Sequence, residues 1–237
     1  MLDVVVLASG RGSNFAALVA AQQRKELPIR LRALLSDKAN ARALDIATGA
    51  GIEAMALSPR AFADRAAFDA ALFARVAQYA PALIVLTGYM RVIDAAAIAP
   101  WRGKVINIHP SLLPKYPGLH TYQRALDAGD AVHGASVHFV TAELDGGPVI
   151  AQVQLPVLPG DSAESLATRL LPLEHRLLVA TVDMLAQGRV ELGDDGVLID
   201  GRAVERPMRL HDGRTLAVDD ARDAQSSAGC DPALAAN

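Results

Sequence analysis

At 237 residues, with 51% apolar and 21% charged side chains, the chain has a globular balance and enough material for one large α/β domain. A net charge of -3 and a pI near 6.1 supply no sequence-wide basic field, which argues against nucleic acid as a partner. The single cysteine, Cys230, excludes an internal disulfide and a cysteine-based zinc site, and it fits a reducing, cytoplasmic location.

The opening run, MLDVVVLASGRGSN, carries an acid at position 3 and an apolar stretch too short for a signal peptide, so no export is expected. It predicts a strand from Asp3 to Ser9 followed at Asn14 by an amphipathic helix, with ASGRGSN between them. There the N–H groups of Gly12, Ser13 and Asn14 at a helix start suit a phosphate. As a dinucleotide fingerprint the loop is poor, because Phe15 takes the third glycine position. Asp37, at the end of the next predicted strand, keeps a ribose-binding reading open, and a merely tight turn is the third possibility.

Further on, the pattern predicts a strand at 29–37, helices at 41–51 and 62–80, a buried strand at 81–89, a short helix at 93–101 and a strand at 104–110. Strands alternating with helices are the mark of βαβ units, giving four parallel strands by residue 109. The apolar stretch around Leu83 stops at Arg91, too short to span a bilayer, so no membrane partner is expected.

Asn107 and His109 lie two apart on the strand at 104–110 and therefore share a face. Pro110, Pro114 and Pro117 follow, stiffening the chain at a strand end, where open α/β sheets place ligand crevices. In isolation the pair reads equally well as two caps on backbone groups.

Past this point the segments 134–141 and 148–157 alternate with period 2 and are joined by a turn-rich connector, which suits antiparallel neighbours at the sheet edge. Ser136 and His138 share one face and are possible site-lining residues, with a structural histidine as the equal alternative. Asp145, before Gly146-Gly147-Pro148, is either a turn former or a carboxylate that supports His109 by favouring its imidazolium. A long helix is expected over 162–188, capped by Ser162 or Ser165, stopped by Gly188 and kinked or divided at Pro172. A hairpin turning at Asp195-Gly196 follows, and from about Arg214 the chain is polar and poorly ordered. The division is thus a catalytic domain at 1–212 and a tail at 213–237. No HExxH pair, Walker loop or GxSxG elbow appears, leaving direct group transfer assisted by polar side chains.

The segments VVLASGRGSNFAAL, TGYMRV, NIHPSLLPKYPGLHT and GASVHFVTAELDGGPVIAQ together resemble the folate-dependent phosphoribosylglycinamide formyltransferases, in order from about residue 3 to about 200. The resemblance implies a Rossmann-like, mostly parallel sheet with helices on both faces and antiparallel strands at its C-terminal edge. It also implies formyl transfer from 10-formyltetrahydrofolate to phosphoribosylglycinamide, without a metal. Asn107, His109 and Asp145 then fall on catalytic positions. Gly12, Ser13 and Asn14, with Leu171, Pro172, Leu173 and Glu174, fall on the phosphoribosylglycinamide side. Arg65, Met90, Arg91, Val92, Ile93 and Asn107 fall on the folate side, as do Thr141, Ala142, Glu143, Leu144 and Asp145.

Small-molecule substrates and a monomer or weak homodimer are the partners expected. Ala142, Tyr122 and Leu171 depart from the family pattern: many relatives have an acid at the first, some a histidine at the second and some a polar residue at the third. A 10-formyltetrahydrofolate hydrolase, a methionyl-tRNA formyltransferase and a non-catalytic nucleotide-binding module are the alternatives. The first usually carries an extra N-terminal domain, and the second a basic C-terminal domain that the short tail does not supply.

Overall fold

The alternation inside the first apolar run sets the architecture. In strand β1 (Leu2–Leu7), Val4 and Val6 enter one core while Val5 and Leu7 enter another on the opposite face, and all four are fully buried. A strand buried on both faces needs helices above and below it. The computed structural model describes residues 1–211 and 215–218.

Helix α1 (Ser13–Gln23), strand β2 (Ile29–Ser36), helix α2 (Arg42–Gly49) and strand β3 (Glu53–Ala56) come next. Helix α3 (Arg65–Ala77), strand β4 (Leu83–Leu86), helix α4 (Ala95–Ile98) and strand β5 (Val105–His109) complete the parallel half. This gives five parallel strands rather than four, since β3 is a short, half-exposed edge segment that leaves almost no apolar periodicity to read. Short helix α5 (Thr121–Asp127) also carries too little pattern to be predicted.

Strands β6 (Val132–Phe139) and β7 (Val149–Pro156) pair antiparallel with each other, and β6 pairs antiparallel with β5. Helix α6 (Ala163–Ala186) opens with a reciprocal capping box between Ser162 and Ser165. It then runs unbroken through Pro172, so of the kink or division expected there the division does not occur. Leu166, Leu170, Leu177 and Leu178 are fully buried against the sheet on either side of the proline. Burying four leucine side chains outweighs the roughly 3 kcal/mol that an interior proline costs.

Beyond α6, β8 (Val190–Leu192), β9 (Val197–Ile199) and β10 (Arg202–Ala203) form a separate three-stranded sheet, with the β8–β9 hairpin closed by a hydrogen bond from the Gly193 N–H to the Gly196 carbonyl. Strand β11 (Met208–His211) returns to the main sheet beside β7, and β12 (Thr215–Ala217) pairs with it. Thr215–Ala217 is therefore strand. Val218 follows as an exposed residue, and the rest of the stretch expected to be poorly ordered lies outside the described residues.

Among the described residues the main sheet has nine strands, in the order β12-β11-β7-β6-β5-β4-β1-β2-β3. The chain runs outward from β1 to β3, then returns to place β4 on the other side of β1. The crevice at this reversal, beyond the carboxyl ends of β1 and β4, is where open α/β sheets hold ligands. Among the described residues no helix is long and apolar enough to cross a membrane.

Candidate active site

Three strand ends meet at the reversal. The loop after β1 is tied to the one after β4: Ser9 N–H donates to the Gly88 carbonyl at 3.2 Å, and Ser9 Oγ accepts the Met90 N–H at 2.9 Å. Strand β5 lies next to β4, with Leu86 opposite Asn107.

On the other side of β5, the antiparallel register places His138 opposite Asn107 and Ser136 opposite His109. This pairing turns two separate sequence features into one cluster. Asn107 Nδ2 stands 3.1 Å from His138 Nε2 and 3.4 Å from Asp145 Oδ1. His138 Nδ1 is 2.9 Å from the Phe139 carbonyl, which can only accept, so the ring proton belongs on Nδ1 and Nε2 accepts from Asn107. The Asn107 amide is thereby oriented with its donors toward the site.

Asp145 sits at a φ of 49°, a left-handed conformation that Asp tolerates better than most residues. Its Oδ2 accepts the Gly118 N–H at 2.8 Å and lies 3.4 Å from His109 Nδ1, while Oδ1 lies 3.7 Å from His138 Nε2. Burial pushes the Asp145 carboxyl up, but in the acid range where it titrates His138, the Gly118 N–H and the charge of His109 outweigh that and hold the group below the usual carboxylate range.

His109 differs from expectation. Its Nε2 donates to the Tyr116 carbonyl at 2.9 Å, and although Asp145 and that carbonyl favour the imidazolium, burial is the larger effect and lowers its pKa. At neutral pH His109 is therefore uncharged, with the proton on Nε2 and a lone pair on Nδ1 facing the Asp145 side.

Ser136 does not line the site. Its fully buried Oγ accepts from the Leu113 N–H and from Gln152 Nε2 and donates to the Ser111 carbonyl, so it staples the proline loop that carries Tyr116. Tyr116 and Gly118 contribute backbone groups, which no residue type announces in a sequence.

At the start of α1, Gly12 has a φ of 74°, and a Cβ there would stand 2.8 Å from Ala43, so only glycine fits. Gly12, at the N-cap, has no side chain with which to cap this helix end. The side chain of Asn14 reaches Glu174, whose Oε2 accepts at 3.1 Å while Oε1 accepts from the Tyr122 hydroxyl at 3.0 Å. Glu174 is buried, and burial raises its pKa against the pull of Asn14, Tyr122 and Arg11. Of the predicted run on α6, Glu174 alone joins this network by a hydrogen bond among the described residues. Leu171 is half-buried, Leu173 packs against the core and Pro172 is exposed.

Met90 and Val92 are exposed apolar side chains at the end of β4, and Leu144 is another on the Asp145 loop. Ile93 instead points into the core, and Arg91 stacks over Phe68 with its guanidinium carbon 4.9 Å from the ring centroid. Arg65 is half-exposed and lies 3.9 Å from Asp94, next to the same loop. Thr141 is half-buried, and Ala142 and Glu143 are exposed. A surface groove of about 720 Å³ between α3 and α4 is lined by none of the predicted site residues. Among the described residues no group of His, Cys, Asp and Glu is arranged to hold a metal ion.

The arrangement offers an oriented amide donor, a neutral imidazole and an ionised carboxylate at the end of a parallel strand, beside an uncapped helix start. Residues 2–182 match the sequence model of the formyl transferase family. The phosphoribosylglycinamide formyltransferase of Escherichia coli strain K12 is 43% identical over 201 residues, covering 85% of this chain and 95% of that protein. The crystal structure of glycinamide ribonucleotide transformylase 1 from Symbiobacterium toebii superposes with a TM-score of 0.81 at 40% identity, covering 84% of this chain and 94% of its own. The phosphoribosylglycinamide formyltransferase of Coxiella burnetii, in complex with CHES, has the same TM-score at 42% identity, covering 85% and 94%.

Proposed function

The chain belongs to the formyl transferase family, and from that membership we infer that it moves the formyl group of 10-formyltetrahydrofolate to the amine of 5-phosphoribosylglycinamide in purine biosynthesis. Formyl transferases draw on a folate formyl donor. The exposed apolar side chains of Met90, Val92 and Leu144 bordering the site suit the flat ring system of such a donor. The uncapped start of α1 at Gly12, Ser13 and Asn14 suits the substrate phosphate, and Glu174 beside Asn14 suits its hydroxyl groups.

The observation that carries the reading is the convergence of Asn107, His109 and His138 on Asp145. Asn107 gives one N–H to His138 and holds the other in a long 3.4 Å bond to Asp145, the bond that a developing oxyanion replaces. As the amine nitrogen bonds to the formyl carbon, His109 Nδ1 takes the amine proton. Asp145, 3.4 Å away, stabilises the imidazolium so formed. His109 then returns the proton to the folate nitrogen as its bond to the formyl carbon breaks. In this role His109 begins as a base rather than as a resident cation.

Incubation of the purified protein with 10-formyltetrahydrofolate, with and without phosphoribosylglycinamide, tests this. Tetrahydrofolate should appear only with the glycinamide present. Release without it would instead identify a hydrolase, and no release at all a binding module.

A further inference from the structure

Asp69 lies on α3, one turn after Arg65, and is completely buried. Its Oδ2 accepts the backbone N–H of Asp94 at 2.7 Å. Asp94 in turn ends the loop after β4 and begins α4, where its Oδ1 accepts the Ala96 N–H at 3.0 Å. The loop is fastened at its other end as well, by the 2.9 Å bond from the Met90 N–H to Ser9 Oγ. Between these fasteners Arg91 stacks over Phe68, the neighbour of Asp69, and Ile93 is buried. Met90 and Val92 are the two side chains of the segment left exposed toward solvent. A short loop held at both ends by buried acceptors presents its middle in one conformation.

We propose that Asp69 is a positioning residue for the formyl donor: by holding the Asp94 N–H it fixes the Met90–Ile93 segment against which the donor lies, without touching the donor. The proposal rests on the assignment of this segment to the folate side. Burial raises the Asp69 carboxyl, countered by the Asp94 N–H and by the charges of Arg91 and Arg65, and reinforced by the Asp94 carboxylate. The acceptor oxygen serves in either protonation state. Asn at this position therefore keeps the bond, whereas Ala removes it.

The test is steady-state kinetics on wild type, Asp69→Asn and Asp69→Ala, with each substrate varied in turn and folding checked by circular dichroism. Asp69→Ala should raise the KM for 10-formyltetrahydrofolate about tenfold, leave the KM for phosphoribosylglycinamide within about twofold, and change kcat little. Asp69→Asn should stay near wild type for both substrates. A second pair covers an Ala variant that does not fold. Asp94 has a φ of -64°, which proline adopts, so Asp94→Pro removes the N–H in addition to the side chain that Asp94→Ala removes.

Asp94→Pro should show the donor-selective loss relative to Asp94→Ala. Equal kinetics for these two, an equal rise in both KM values for Asp69→Ala, or an Asp69→Asn variant as impaired as Ala would overturn the proposal. If wild type shows no glycinamide-dependent turnover, the functional reading fails and this proposal fails with it. Wild-type turnover with an unmoved donor KM overturns the proposal alone.

Discussion

The two loops that meet over His109 are built in opposite ways. The loop after β5 is stapled from several sides: Ser136 and Gln152 hold Leu113, Arg124 Nη1 donates to the Pro117 carbonyl at 2.6 Å, and Asp130 takes both Lys115 Nζ and the Tyr116 hydroxyl at 2.8 Å. The loop after β6 leaves Ala142, Glu143 and Leu144 exposed and is fastened to the first through Asp145, which accepts the Gly118 N–H. The first loop thus arrives preorganised, with the Tyr116 carbonyl already on His109, whereas the position of Asp145 is inherited from it. The carboxylate most exposed to error is placed by a backbone group of the better-held neighbour.

The sharpest break of that contrast is Asp145→Asn, which keeps an acceptor for Gly118 but removes the charge facing His109. Turnover should fall by about a hundredfold to ten-thousandfold, while the melting temperature moves by no more than about 4 °C. Thermal melts and kcat on the same preparation check this, and near-normal turnover would remove Asp145 from the chemistry.

Striking the staple instead, Ser136→Ala leaves the Leu113 N–H and the Ser111 carbonyl without their buried partner. A loss of about 2 kcal/mol in denaturant unfolding is expected, with turnover reduced by about tenfold as the Tyr116 carbonyl drifts. Unaltered stability would mean that the loop holds itself.

The pH profile separates a His109 that begins neutral from one that begins charged. Because its folded pKa is lowered, the base form persists below 6.5, so kcat/KM should stay level down past that value and fall only beyond it. A profile that rises on acidification would favour a resident imidazolium. The linkage has the same sign for stability. The unfolded chain binds protons at His109 and His133 before the folded one does, so their contribution is present above 6.5 and is lost as pH falls below it. Smallest of all, Glu143→Ala on the exposed loop should change kcat and KM by less than about twofold. A larger effect would show that this loop carries more than its one anchored residue.

What the sequence determined by itself was local. Alternation in β1, the Gly12 turn, the Ser162 to Ser165 cap and the Asn107 and His109 pair on one strand face each depend on residues a few positions apart. Their period and turn chemistry are therefore written in the chain. For the distant Asp145 the local sequence left a turn former and a carboxylate supporting His109 both open, and the resemblance to formyltransferases is what put it on a catalytic position.

Tertiary structure decided the rest. The antiparallel register of β5 and β6 sets His138 against Asn107, and Ser136 turns out to be a staple rather than a lining residue. Packing on both sides of the proline carries α6 past Pro172 without a break. Above all, burial rather than the neighbouring carboxylate sets the resting charge of His109. Pairing and desolvation depend on everything that packs around a group, and that sum exists only once the chain has folded.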